Sequence, residues 1–266
     1  MRRRPRAIVT ASMTDLDSAT ADLAQGPPLA PEVRARLVLV ASLAFTAVLY
    51  LVPWLRLLAW PFRLVSTLAH ELGHGLAAVL VGGDFEALLM WSDASGVAAW
   101  SAQVGRLGHA AIAAGGLVGP ALASAVCFLL GRSRRWARLA SLGLGIGLLI
   151  ADLVVVRTLF GVVFVGLLAA VLILVSLVPS EWLAQVALVL LGVQLALSVF
   201  SRADYLFTRQ AVTTSGTVLS DVSQMAEALI LPYWFWGACC GAFSLAVLLA
   251  ALILYLRAPQ RAEPGL

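Results

Sequence analysis

The chain has 266 residues, of which 61% are hydrophobic and 12% charged, and its mean hydropathy is +0.96. A soluble domain averages about 45–50% apolar and about 25% charged residues, so an ordinary soluble enzyme is excluded. Three cysteines, an odd number, exclude a disulfide scaffold, and the hydropathy excludes a disordered chain. The apolar runs are long and continuous, not alternating, so the expected fold is an all-α polytopic membrane protein and not a β-barrel. All 18 basic residues are Arg and the net charge is +4. Most Arg residues flank apolar runs, where they meet lipid headgroups. No basic patch is interleaved with exposed aromatics, so the expected partner is the lipid bilayer and not a nucleic acid.

Residues 1–36 read as a disordered basic N-terminal tail, with Arg2, Arg3, Arg4 and Arg6 followed by a Ser/Thr/Asp stretch and Gly26-Pro27-Pro28. The first apolar run begins only at Leu37, too late for a cleaved signal. A membrane helix needs about 20 apolar residues. Candidate spans cover 37–59, 62–82, 108–131, 138–156, 158–178, 182–200 and 233–256. The second and third carry His and many Gly, so six spans plus one partly buried helix fit as well as seven. The membrane domain is taken as 37–257 and a short C-terminal tail as 258–266. With seven alternating spans the Arg residues divide almost evenly between the two sides, so the positive-inside rule assigns no orientation.

Two connections are longer than turns. In residues 83–107, Phe85, Ala87, Leu89 and Trp91 recur at period two, Asp93-Ala94-Ser95-Gly96 signals a turn, and Val97 to Trp100 follow. This is the pattern of a β-hairpin. In residues 201–232, Ser220 is placed to cap an amphipathic helix over 222–231, which Pro232 ends. Gly115 and Gly119, and likewise Gly143 and Gly147, have the GxxxG spacing that lets membrane helices approach closely. Gly115–Pro120 is expected to pack on the helix carrying His70 and His74. The cysteines read as small apolar residues.

The chemistry is concentrated in His70-Glu71-Leu72-Gly73-His74, an HExxH motif. On a helix, residues four apart share a face. Both imidazoles can therefore reach one metal ion, here Zn2+, with Glu71 beside them as the base that activates water. With three His and six Glu in the chain, a chance HExxH is expected roughly once in a thousand such chains. The motif also lies in an apolar segment, where ionisable groups are costly and mark function.

A membrane-embedded Ala69-His70-Glu71-Leu72-Gly73-His74-Gly75 resembles the site-2 protease family of intramembrane zinc metallopeptidases. The rest of the chain resembles the compact bacterial M50B-like branch. The Gly82-Gly83 step and hairpin, Ala114 to Pro120, Arg157 before Phe160-Gly161, and Ser220-Asp221 leading through Pro232 to Trp234 and Trp236 follow its order. HExxH is the only strongly specific motif among these. The resemblance implies that His70, His74 and, by position, Asp221 ligate zinc, and that Glu71 is catalytic. It implies an integral, multi-pass protein of a bacterial cell membrane whose substrate is a single-pass membrane protein. The Asn-Pro-x-Pro segment and the Asp-Gly step of better-known members are missing, so the third ligand stays open. Asp152, inside an apolar run and five residues from Arg157, is the main rival, and His109 and Asp204 are further options. Two readings of another class compete with hydrolysis. One is an ion or proton transporter using His70, Glu71 and Asp152; the other is a non-catalytic membrane scaffold.

Overall fold

The computed structural model describes residues 30–180, 182–201, 205–213 and 216–257. The greater part of the expected N-terminal tail and the expected tail at 258–266 lie outside these residues. Helix α1 runs over Pro31–Leu51, so residues 31–36, expected in the tail, are helical. Proline suits the first helical turn, and Ala35 packs in a core with Phe128, Val193 and Tyr255. The Tyr255 hydroxyl also donates to the Ala35 carbonyl at 2.8 Å. Helix α1 stops at Leu51 and not at 59. Pro53 disfavours helix at the residue before it, and Val52 is extended at φ −90°, ψ 113°. A short 3-10 turn over Pro53–Leu57 follows.

Helix α2 (Trp60–Leu80) carries HExxH and enters through Pro61 in its first turn. Strands β1 (Asp84–Met90) and β2 (Gly96–Ser101) form the expected antiparallel hairpin. Helices α3 (Arg106–Leu130), α4 (Arg134–Val154), α5 (Leu159–Leu177) and α6 (Leu183–Ser201) complete most of the bundle. A second hairpin, β3 (Gln210–Thr213) with β4 (Gly216–Leu219), was not anticipated. Its strands have four residues each, too short for a period-two signal. Helix α7 (Asp221–Ala228) and helix α8 (Tyr233–Arg257) end the described chain. Helices α1, α3, α4, α5, α6 and α8 are long and apolar enough to cross a membrane. Helix α2, with its His, Glu and Gly residues, does not reach that apolar threshold.

Helix α5 is capped by Thr158, whose Oγ1 accepts from the Gly161 N–H. The same hydroxyl donates to the Met90 carbonyl at 2.8 Å and ties α5 to the hairpin. Strand β1 is covered on its outer side: the Leu88 N–H donates to the Val155 carbonyl at 2.7 Å, and the Arg157 N–H donates to the Leu88 carbonyl at 3.0 Å. Among the described residues, no ladder covers the outer edge of β2.

Candidate metal centre

Small residues set the site by letting α2 and α3 touch. A Cβ at Gly73 would run into the Gly115 carbonyl oxygen, and one at Gly119 would lie 2.9 Å from the Ala69 oxygen. Two backbones at this distance bury their surfaces against each other, as the Gly115–Pro120 pattern led us to expect. Closest among these α2–α3 contacts is Gly116, where a Cβ would overlap the His74 imidazole. The ring is thus held flat against the α3 backbone, with its Nδ1 2.8 Å from the Ile112 carbonyl oxygen. A carbonyl only accepts, so Nδ1 carries the hydrogen and Nε2 presents a lone pair.

That lone pair faces two other electron-rich groups. His74 Nε2 lies 3.2 Å from His70 Nε2 and 3.4 Å from Asp221 Oδ1, and His70 Nε2 lies 3.2 Å from Asp221 Oδ2. Asp221 is brought in as the first residue of α7, which Ser220 caps by accepting from the Ser223 N–H. Ser220 is fully buried and also donates to the Thr208 carbonyl, so the cap is anchored to the preceding segment. Asp221 is 5% exposed, and its Oδ2 has no hydrogen-bond partner. Burial works to raise this carboxyl, but with a proton on the imidazoles in place of a metal their charge outweighs burial and holds the carboxyl below the usual carboxylate range.

These donors suit a metal ion. Two imidazole nitrogens and one carboxylate are the ligand set of open hydrolytic zinc sites. A tetrahedral ion with bonds of about 2.0–2.1 Å has its ligand atoms about 3.3–3.4 Å apart, close to the separations seen here. His70, His74 and Asp221 could therefore hold one ion, and a cation would supply the partner that Asp221 Oδ2 lacks.

Glu71 is 8% exposed. Its Oε2 accepts a hydrogen bond of 2.8 Å from the backbone N–H of Ala98, on the uncovered edge of β2. The Tyr205 ring stands edge-on to His70 with centroids 6.2 Å apart, on a 3-10 turn over Tyr205–Phe207. Ala98 falls in the stretch read as the second hairpin strand, but its bond to Glu71 and the place of Tyr205 leave no pattern in the sequence, since backbone amides and isolated aromatics carry none. Thr67, one turn before Glu71, could have been found from the i, i+4 spacing.

The rival ligands lie elsewhere. Asp152 is buried at the end of α4 with Oδ1 unpaired, and its Oδ2 faces Gly166 of α5. It does not pair with Arg157, whose guanidinium donates to the Val154 and Val156 carbonyls. His109 is exposed and packs on Trp100, with ring centroids 5.6 Å apart. Asp204 lies outside the described residues. The second GxxxG pair also behaves differently from expectation. A Cβ at Gly143 or Gly147 would meet nothing within 4 Å, whereas one at Gly145, between them, would lie 2.9 Å from the Ala169 oxygen of α5. The contact face of α4 is thus offset from the motif.

No curated protein and no solved structure matches the chain. The six apolar helices make it an integral, multi-pass membrane protein. A family model described as Peptidase M50B-like matches residues 39–251, from α1 through α8. With HExxH folded as the helix that packs on the glycines of α3, and that match spanning the whole bundle, the chain belongs to the Peptidase M50B-like family.

Proposed function

We propose that the protein is a zinc-dependent endopeptidase of a bacterial cell membrane. Its substrate is a membrane protein, in the simplest case single-pass, cut in or near the transmembrane segment. The observation that carries this reading is the convergence of His70, His74 and Asp221, with Glu71 next in the chain on the same helix. Zinc held there would lower the pKa of water toward about 7 and polarise the scissile carbonyl.

The chain's own residues do the rest. Glu71 Oε2 is occupied by the Ala98 N–H, which leaves Oε1 to take a proton from the attacking water and pass it to the leaving amine. His74 keeps its Nε2 lone pair on the cluster because the Ile112 carbonyl holds Nδ1–H. A substrate helix has satisfied its own backbone hydrogen bonds and must unwind before attack. The outer edge of β2 offers backbone groups beside Glu71 on which an unwound segment can pair as an added strand.

The test is zinc per chain in detergent-purified protein, together with cleavage of a single-pass peptide probe. Wild type should bind about one zinc, and His74→Ala and Asp221→Asn should lose it, because two imidazoles alone hold zinc poorly. Glu71→Gln should keep zinc and lose cleavage. No zinc in the reconstituted wild type would refute the reading. Zinc without cleavage would leave the non-catalytic scaffold.

A further inference from the structure

We propose that Thr67 and Gly96 are positioning residues for Glu71: they seat the β1–β2 hairpin on α2 so that the Ala98 amide holds the carboxylate. Thr67 lies one turn before Glu71 on the same helix face and is 2% exposed. Its Oγ1 donates to the Ala94 carbonyl at 2.8 Å, at the tip of the hairpin. Ala94 is the one non-glycine residue at positive φ, 68°, among the described residues, a conformation costly for an L-residue. Asp93 holds the same turn by accepting from the Ser95 N–H at 2.9 Å and from its hydroxyl at 2.6 Å. The strained tip is therefore fixed twice, once within the turn and once by Thr67.

Gly96 is the next point of contact. A Cβ there would lie 2.7 Å from Thr67 Cγ2 and 2.9 Å from Glu71 Cγ, so any larger residue drives β2 away from α2. Two residues on, at the same edge of the strand, the Ala98 N–H reaches Glu71 Oε2 at 2.8 Å. A glutamate has three side-chain torsions, and this bond fixes the last of them. Thr67, the turn and Gly96 thus act on the base through the strand, without touching the reacting atoms. The strand that would receive substrate is the same strand that aims the base.

This inference rests on the hydrolytic reading for its activity arm only. The experiment uses the full chain in detergent as wild type, Thr67→Val, Thr67→Ser and Gly96→Ala. In zinc-free protein, hydrogen exchange of the amides in 96–101 is followed. Thr67→Val keeps the shape and removes the hydroxyl, and should speed that exchange roughly tenfold, the scale of loosening the Ala98 bond to the charged Glu71 carboxylate. Thr67→Ser should restore it. In zinc-loaded protein with the peptide probe, Thr67→Val should lower kcat roughly tenfold, change KM less than kcat, and leave zinc at the wild-type level. Gly96→Ala should reproduce both effects from the strand side, which covers the case of a poorly folding Thr67 variant.

Unchanged exchange at 96–101 in Thr67→Val and Gly96→Ala would overturn the proposal. So would faster exchange with unchanged kcat, faster exchange spread over α3 and α8, or failure of Thr67→Ser to restore the wild-type values. A wild type that binds zinc but cleaves nothing would count against the hydrolytic reading alone, since the exchange arm needs no turnover.

Discussion

Gly116→Ala is a one-methyl perturbation whose outcome is set by geometry. The added Cβ would overlap His74 Nε2 and stand 2.6 Å from its Cδ2, inside the distance at which atoms can rest. The ring cannot simply slide, because Nδ1 is held by Ile112 at 2.8 Å. Retreat of the main chain would part the close Gly73–Gly115 backbone packing and lose its contacts. Overpacking of this kind costs about 1–3 kcal/mol. If that cost falls on the zinc-bound position of the ring, affinity drops about 5- to 150-fold at about 1.4 kcal/mol per tenfold. The assay is a chelator competition titration of reconstituted protein in detergent, with thermal unfolding of the zinc-free form alongside. Gly143→Ala is the control, since its Cβ meets nothing within 4 Å, and it should bind zinc as wild type does. Zinc affinity of Gly116→Ala within twofold of wild type would refute the claim that α3 presses His74 into its ligand orientation.

Glu71→Gln should retain full zinc and lose cleavage of the probe by about 10²–10⁴-fold, the usual contribution of a positioned general base, as read by single-turnover hydrolysis. Asp152→Asn should leave zinc content unchanged, because Asp152 lies apart from His70, His74 and Asp221; loss of zinc in that variant would reinstate the rival ligand. Ser220→Ala removes the cap of α7 and its bond to the Thr208 carbonyl. It should cost about 1 kcal/mol and weaken zinc binding through Asp221, both measurable by chelator-dependent thermal unfolding. Gly145→Ala should lower thermal stability relative to Gly143→Ala, because only Gly145 faces the backbone of α5.

Much of the architecture was legible in the sequence because it is local. A helix in lipid needs only enough apolar length, and each of the seven helical runs expected overlaps one of the long helices. HExxH needs only the repeat of one helix to bring two imidazoles together, and the hairpin only its alternation and a turn. The boundary of α1 was missed because its first turns are held by distant Tyr255 and Phe128, and its end by a single proline.

The site beyond the motif was decided by tertiary structure. Asp152 lies inside an apolar run and Asp221 opens an amphipathic one, and neither setting by itself shows which of them meets His70 and His74. What separates them is where α7 and α4 come to rest against α2, and that follows from through-space packing. The same holds for the glycines. Spacing marks which could pack, but only the crossing of α2 on α3 selects Gly73, Gly115 and Gly116, and only the rotation of α4 selects Gly145 over Gly143 and Gly147. The bond from Ala98 to Glu71 belongs to a backbone amide, which every residue but proline carries. No sequence pattern marks it, and the fold alone brings it to Glu71.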